Sequence, residues 1–237
     1  MNAPGLLDPG RLRAVTFDLD FTLWDLSQVI VRAEKLTHRF LEKHYPEAAR
    51  RYSVEQVREL RSRLAEQRPE LRHNVTELRR AALAQVARDS GYGDCLVEEA
   101  FRVFLDARHD VVLYEDVRPT LEALRGRFVL GAVTNGNADL RRVGLGAYFD
   151  FSLSAVEVGA AKPSHLIFEA ACSRAGAAPG AVAHVGDEVE SDVVGASGHG
   201  MVPVWLNRPG APWPAGQEPL PHVELADLAS LARLLAP

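Results

Sequence analysis

The stretch Ala14-Val15-Thr16-Phe17-Asp18-Leu19-Asp20-Phe21-Thr22-Leu23 decides how this chain is interpreted. Its apolar beginning is typical of a buried strand, and Asp18 and Asp20 come where that strand ends. In an open parallel sheet, ligands bind at the carboxyl ends of the strands. Two carboxylates this close repel each other unless a cation lies between them. The stretch therefore indicates a metal site with a nucleophilic carboxylate, and the competing interpretation is a turn in which an aspartate caps backbone amides.

The composition is that of an ordinary globular protein. The chain has 237 residues, of which 47% are hydrophobic and 25% charged, and its net charge is −5. This balance gives no reason to expect attraction to nucleic acid or to an anionic membrane. No apolar run approaches the ~20 residues that a membrane span needs, and residues 1–13 do not resemble a secretory signal. The two cysteines fit a reducing compartment, so the predicted location is the cytoplasm.

The first strand is followed by a long helical region. Apolar residues recur at helical spacing and predict four amphipathic helices within residues 24–110. Two of these helices begin with capping signals, Ser53 with Gln56 and Asn74 with Glu77. Four such helices with short links can pack as a small bundle, so we predict a helical insert over 24–110.

Beyond the insert, strands and helices alternate. Apolar runs predict strands at 128–133, 151–156, 182–185 and 202–206. Helices are predicted from Pro119 to Gly126, over 164–175 and over 225–235, and a loop rich in Pro and Gly over 207–221. Alternation of this kind is typical of a parallel sheet with helices on both faces. We therefore predict an α/β fold with a Rossmann-like core made of residues 1–23 and 111–237.

Two polar clusters of the core suit a phosphate group. Thr134 and Asn135 follow the strand at 128–133, and their hydroxyl, amide and neighbouring backbone N–H groups can bind phosphate oxygens. Lys162 precedes Pro163, which restricts the backbone and so fixes where the ammonium points. The alternatives are a common Asn-Gly turn for the first cluster and a solvated surface charge for the second.

An acidic cluster, Gly186-Asp187-Glu188-Val189-Glu190-Ser191-Asp192, follows the strand at 182–185. Carboxylate oxygens are the ligands that Mg²⁺ prefers, although some of these residues can instead cap the next helix. Taken together, the clusters describe carboxylates around a divalent cation, with a lysine and a hydroxyl facing them. That combination is typical of a site for a phosphoryl group.

This pattern resembles the haloacid dehalogenase-like hydrolase superfamily over almost the whole chain. The matching motifs are Asp18-x-Asp20-x-Thr22, Thr134, Lys162 and Gly186-Asp187-x-x-x-x-Asp192. The insert at 24–110 resembles the bundle-type cap of that superfamily. The resemblance implies that Asp18 is the nucleophile and forms an aspartyl-phosphate. It also implies that Asp20 protonates the leaving oxygen and then activates water.

The resemblance further implies a Mg²⁺ cofactor. Its ligands would be Asp18, the backbone carbonyl of Asp20, Asp187 and, through a water, Asp192. Thr134 and Lys162 would bind the phosphoryl oxygens. Asn135, which follows Thr134, is also expected to bind phosphate.

Further segments resemble one bacterial subgroup of phosphatases. Its members act on flavin mononucleotide (FMN) and on 5-amino-6-(5-phospho-D-ribitylamino)uracil, an intermediate of riboflavin biosynthesis. The segments are 29–34, 68–76, 134–138, 144–149, 184–187 and 220–225. The resemblance implies a phosphatase of small soluble phosphomonoesters, with no nucleic-acid or membrane partner.

Three alternatives compete with this interpretation. A dehalogenase would use Asp18 but would need neither the acid Asp20 nor a metal. A phosphomutase would use the same site while excluding water, and a non-catalytic phosphate-binding protein would not need both aspartates. For the substrate, Trp24 either packs inside the protein or borders the site, and Arg79 is a candidate contact or a packing residue.

Overall fold

The computed structural model describes residues 2–236. The chain forms two compact units, one of Met1–Asp25 with Val112–Pro237 and one of Leu26–Val111. We call them the core unit and the helical unit. The sequence prediction placed the corresponding boundaries after residues 23 and 110. The core unit is thus assembled from two stretches that are far apart in the sequence.

The core unit is built on a six-stranded parallel sheet with the order β3-β2-β1-β4-β5-β6. Strand β1 lies between β2 and β4, with Phe17 opposite Ala132 and Val185. All residues of β1 and β4 are buried, as expected for strands that are covered on both faces. The strands are β1 (Ala14–Phe17), β2 (Val129–Thr134), β3 (Phe151–Ser154), β4 (Val182–Gly186), β5 (Val202–Leu206) and β6 (Val223–Leu225).

Helices account for most of the remaining regular structure. The helical unit contains α1 (Ser27–His44), α2 (Pro46–Arg51), α3 (Val54–Gln67), α4 (Val75–Asp89) and α5 (Asp94–Arg108). The core unit contains α6 (Val117–Leu124), α7 (Ala155–Val158), α8 (His165–Ala175), α9 (Gly195–Gly198) and α10 (Leu228–Leu234). A π-helical turn, Val189–Val194, follows β4, and short 3₁₀ turns lie at Pro4–Leu6, Pro69–Leu71 and Pro179–Ala181. No helix within residues 2–236 is both long and apolar enough to cross a bilayer.

The predicted α/β class, with a parallel sheet and helices on both faces, is confirmed. The predicted strand over 151–156 ends early, because the Ser154 side chain accepts a hydrogen bond from the Glu157 amide and starts α7. The predicted helix over 225–235 begins later than expected. Its first residue, Leu225, belongs to β6, and α10 starts after Asp227, whose side chain caps the helix.

The helical unit has five helices rather than the predicted four. The additional helix is the short α2, which has a proline at its first position, where the missing N–H costs nothing. The predicted capping box of Ser53 and Gln56 is present at α3, and the Asn74 side chain accepts from the Glu77 amide at α4. The helices surround a separate apolar core that includes Leu41, Val86, Leu96 and Ala100.

One buried carboxylate organises the polar side of this bundle. Glu34 of α1 is only 7% exposed, and it faces the guanidinium groups of Arg58, Arg61 and Arg79. The guanidinium carbon of Arg79 lies 3.5 Å from the centre of the Phe104 ring. Burial and the neighbouring Arg61 lower the pKa of Arg79 to about 9. Arg79 therefore acts as a packing and ion-pairing residue of the helical unit.

Replacing Glu34 with leucine should destabilise the protein markedly. The change leaves the guanidinium groups around Glu34, including that of the largely buried Arg79, without their carboxylate partner. We expect the free energy of unfolding to fall by about 3 kcal/mol, as when one partner of a buried pair is removed. Urea denaturation followed by circular dichroism would measure it. Glu59→Gln, at an exposed position of α3, is the matched control; equal losses in both variants would contradict the role of Glu34.

Candidate active site

A cavity of about 530 Å³ opens in the core unit among the segments that follow β1, β2 and β4. Because these neighbouring strands are parallel, their carboxyl ends meet at the same edge of the sheet. The structure brings every predicted site residue to the wall of this cavity: Asp18, Asp20, Thr134, Asn135, Lys162, Asp187 and Asp192.

Asp18 is the first residue after β1 and is 8% exposed. Its backbone amide donates to the Val185 carbonyl at 2.8 Å, which continues the sheet pairing by one residue. One carboxylate oxygen, Oδ1, accepts from the Lys162 ammonium at 2.5 Å. Burial raises the pKa of Asp18 well above its usual range, although Lys162 opposes this shift. A second cation at this carboxylate would favour its charged form.

The Lys162 ammonium lies between two carboxylates. Its Nζ is 2.5 Å from Asp18 Oδ1 and 2.6 Å from Asp192 Oδ1. Burial disfavours the ammonium, but the two carboxylates outweigh it and raise the pKa of Lys162 above its usual value. Lys162 is therefore positively charged at neutral pH, inside the protein.

Asn135 holds the backbone of Lys162. Its Oδ1 accepts from the Lys162 amide at 2.7 Å, and its Nδ2 donates to the Lys162 carbonyl at 3.0 Å. The peptide bond between Lys162 and Pro163 is cis. The Asn135 side chain thus positions the lysine, and the phosphate-binding role of Asn135 stays a prediction.

Asp192 accepts hydrogen bonds at both of its carboxylate oxygens. Its Oδ1 accepts from the Lys162 ammonium and, at 3.1 Å, from His184 Nε2. Its Oδ2 accepts from the Glu188 amide at 3.0 Å. Burial opposes its ionisation, but Lys162 and His184 hold the pKa of Asp192 well below its usual range. A Cβ on Gly186 would lie 2.2 Å from this carboxyl group, so only glycine leaves room for it.

Sequence reasoning missed His184 as a site residue. It is fully buried in β4, with Nδ1 2.8 Å from the Thr16 hydroxyl of β1. Burial lowers the pKa of His184, which favours the neutral ring. A neutral ring that donates from Nε2 to Asp192 leaves Nδ1 to accept from Thr16, a tautomer assigned from this network. The sequence carries one signal for this pair: Thr16 and His184 are polar residues within strands that are otherwise apolar.

The carboxyl group of Asp20 is held by an indole. Trp24 Nε1 donates to Asp20 Oδ1 at 2.8 Å, and the Trp24 side chain is fully buried. Trp24 therefore packs inside the core unit and also fixes the orientation of Asp20.

Asp187 completes the acidic group. Its Oδ1 accepts from the Thr22 hydroxyl at 3.1 Å, and its backbone carbonyl accepts from Trp205 Nε1 at 2.9 Å. Burial, followed by the charge of Asp192, raises the pKa of Asp187 to about 6. Asp18, Asp187 and Asp192 each present a carboxylate oxygen within 4.8 Å of the others. This spacing suits one cation.

Thr134 ends β2 and is 1% exposed. Its hydroxyl oxygen accepts from the Gly136 amide at 2.9 Å. The hydroxyl proton is not used in that bond, so it is available to donate to an anion in the cavity.

Comparison with known proteins gives a consistent family. The sequence model of the haloacid dehalogenase-like hydrolases matches residues 12–200. The chain is 34% identical to the 5-amino-6-(5-phospho-D-ribitylamino)uracil phosphatase YigB of Escherichia coli K12, over 95% of this chain and 97% of that protein. It is 30% identical to the human N-acylneuraminate-9-phosphatase, over 95% of this chain and 94% of that protein.

The solved structures add a neighbour with a different name. A structure described as the 2-haloacid dehalogenase of Pseudomonas syringae pv. Tomato DC3000 has a TM-score of 0.88 and 41% identity. The match covers 95% of this chain and 98% of that chain. The similar proteins thus include named phosphatases and a named dehalogenase.

Replacing His184 with leucine should loosen the carboxylate–lysine network. The change removes one donor from the buried Asp192 carboxylate, and such losses cost ~1–3 kcal/mol of folding free energy. Chemical denaturation would measure the loss, with the exposed His165→Leu as the matched control. Unchanged stability in the His184 variant would show that Asp192 does not depend on this bond.

Proposed function

The chain belongs to the haloacid dehalogenase-like hydrolase family, and on that basis we propose that it is a Mg²⁺-dependent phosphatase of small phosphomonoesters. The named phosphatases that are similar over nearly its whole length support a reaction on phosphate esters. The observation that carries the proposal is the buried Lys162 ammonium between Asp18 and Asp192, in one cavity with Thr134.

In the proposed first step, a carboxylate oxygen of Asp18 attacks phosphorus and the bond to the leaving oxygen breaks. Asp20, held by Trp24, gives its proton to that leaving oxygen. The product is an aspartyl-phosphate on Asp18, which divides one difficult hydrolysis into two easier steps.

In the second step, Asp20 is a carboxylate and takes a proton from an attacking water. The water oxygen bonds to phosphorus, the bond between phosphorus and the Asp18 oxygen breaks, and free phosphate leaves. Asp18 is regenerated as a carboxylate, and Asp20 again carries the proton that the next cycle needs.

Phosphoryl oxygens are bound by charge and by hydrogen bonds. The Lys162 ammonium supplies the positive charge, and the Thr134 hydroxyl supplies a donor. Because the Asn135 side chain is used by the Lys162 backbone, we assign any contact of Asn135 with phosphate to its backbone amide.

The acidic group fits Mg²⁺. Its donors are carboxylate oxygens within 4.8 Å of one another, and burial raises the pKa of Asp18 and Asp187, which a divalent cation would reverse. Asp18, the Asp20 backbone carbonyl and Asp187 would hold the ion. Asp192 would act through a water because Lys162, His184 and the Glu188 amide already bind its oxygens. A bound ion would neutralise charge that otherwise keeps the nucleophile and the phosphate apart.

We take FMN and 5-amino-6-(5-phospho-D-ribitylamino)uracil as the first substrates to test. The name of the Escherichia coli relative supports the second of these. The corresponding biological role is in riboflavin biosynthesis, in the cytoplasm. We also propose that the helical unit serves as the cap of this enzyme.

Haloacid dehalogenation is the second candidate, favoured by the similarity to the Pseudomonas syringae structure. Its reaction needs a carboxylate nucleophile but neither a proton for the leaving halide nor a cation. It would leave the indole-held Asp20 and the acidic group around Asp187 without a role. The phosphatase proposal uses all of these residues.

Phosphate release and its dependence on Asp18 test the proposed nucleophile. Purified protein with Mg²⁺ should release phosphate from at least one member of a panel containing the two flavin-pathway esters, sugar phosphates and nucleotides. Asp18→Asn removes the attacking carboxylate and should reduce kcat by at least ~10³-fold. Phosphate release measures the rate, and Asp8→Asn, at an exposed position, is the control.

A parallel assay with 2-chloropropionate tests the second candidate. Halide release without phosphate release would identify a dehalogenase, and release of neither product would favour a phosphomutase or a binding protein. Full activity of Asp18→Asn would refute the assignment of the nucleophile.

Mg²⁺ binding should depend on pH. A carboxyl group with a raised pKa destabilises the metal-free fold as pH rises through that pKa, and it must lose its proton before it can bind a cation. Since the pKa of Asp187 is about 6, Mg²⁺ should bind ~10-fold more weakly at pH 5 than at pH 7.5. Mg²⁺ titrations followed by thermal unfolding would measure both affinities. Equal affinities at the two pH values would contradict the assignment of Asp187 as a ligand.

A further inference from the structure

The residue after the acid, Phe21, has a backbone conformation that side chains rarely adopt. Its φ is +63°, and among residues 2–236 it is the only residue other than glycine with a positive φ. The left-handed region is disfavoured for bulky L-residues because the Cβ crowds the backbone. The Phe21 amide donates to the Trp24 carbonyl at 2.7 Å, which closes the turn that carries Asp20.

Packing covers only part of the Phe21 side chain. Phe21 is 42% exposed, whereas Leu19, Leu23 and Trp24 on either side of it are fully buried. A phenyl ring that stays 42% exposed gains less from burial than its fully buried neighbours do, because the stabilisation scales with the apolar area removed from water. Glycine would adopt the same turn without strain. Part of the Phe21 ring therefore remains free to contact a molecule in the space in front of it.

That space is the active-site cavity. Phe21 lines it together with Asp18, Asp20 and Lys162. Much of the remaining wall is apolar and comes partly from the loop between β5 and β6. Ala211, Pro212 and Pro214 of that loop contribute to the wall, together with Val189 of the turn after β4 and Trp205 of β5.

The loop between β5 and β6 is held in place at several points. The Asn207 side chain donates to the Ala211 carbonyl and accepts from the Ala211 amide, both at 2.8 Å. Trp213 stacks on His222 with ring centres 4.7 Å apart, and its Nε1 donates to the Gln217 carbonyl at 2.9 Å. Pro212 and Pro214 flank Trp213 and are exposed. They form a pre-ordered apolar surface at the cavity.

The chemistry of the proposed reaction places the leaving group on this side. Lys162 and Thr134 hold the phosphoryl oxygens, and Asp20 must come within hydrogen-bond reach of the leaving oxygen. Phe21 directly follows Asp20 and lines the same cavity, so its ring is within reach of the part of the substrate beyond the leaving oxygen.

We propose that Phe21, with Pro212 and Pro214, forms a leaving-group subsite for a flat aromatic or heteroaromatic ring. The inference rests on the proposed phosphatase function and assigns to these residues the contact with the ring of the flavin-pathway esters proposed above. Flat rings stack favourably on a phenyl group. The rigid proline surface adds contact without a large ordering cost.

FMN and ribitol 5-phosphate test this proposal because they share the phosphoribityl chain and differ by the ring. The measured quantity is the ratio of kcat/KM for FMN to that for ribitol 5-phosphate. In Phe21→Gly this ratio should fall about tenfold, the effect of losing one good ring contact. Phe21→Leu should lower it as well, since it keeps bulk without a flat face, and Phe21→Tyr should retain it.

Folding is controlled within the same set of variants. Phe21→Gly relieves the left-handed strain, so its thermal midpoint should be equal to or above that of the wild type. Leu166→Ala removes an apolar side chain that is 46% exposed and does not line the cavity, and it should leave the ratio unchanged.

The outcomes separate the two levels of the proposal. If the wild type hydrolyses both esters and Phe21→Gly does not change the ratio, the subsite is refuted and the phosphatase stands. If the wild type shows no preference for FMN, the subsite is likewise refuted. If the wild type hydrolyses no phosphomonoester, the proposed function fails and the subsite falls with it.

Discussion

The buried ammonium of Lys162 between Asp18 and Asp192 is the interaction on which the site depends. Three charges inside a protein are tolerated only when they compensate one another, and removing one partner leaves an uncompensated charge. Each partner comes from a different part of the core unit: Asp18 from the end of β1, Asp192 from the turn after β4, and Lys162 from the segment before α8. The adjacency of β1 and β4 in the sheet brings them together.

Neutral donors then fix the remaining acidic groups. The Trp24 indole donates to the Asp20 carboxylate, and the Trp205 indole donates to the backbone carbonyl of Asp187. The guanidinium of Arg208 pairs with Asp116 and also donates to the Thr22 carbonyl at 3.2 Å, which ties the loop after β5 to the first motif. Groups fixed before substrate arrives need little reorganisation during a reaction. Much of this side of the site is therefore preorganised by two indoles and one guanidinium group.

The sequence predicted the sheet and the residues of the cavity for a common reason. Asp18, Thr134 and Asp187 follow strongly apolar runs, and such runs identify both the strand and its end. The roles of His184 and Asn135 could not be predicted, because they depend on which atoms face each other across β1 and β4 or between β2 and α8. Strand β6 was missed because three residues carry too little periodicity to distinguish a strand from a helix start.

The division of the core unit also affects the order in which the chain can fold. Strand β1 is synthesised first, but its neighbours in the sheet begin only at Val129 and Val182. The helical unit, Leu26–Val111, has its own apolar core and emerges from the ribosome in between. During that interval a central strand whose side chains are all buried in the folded protein has no partner, and unpaired strands of this kind favour aggregation. The position of the insert thus places a long stretch of chain between the strand that precedes Asp18 and both of its partners in the sheet.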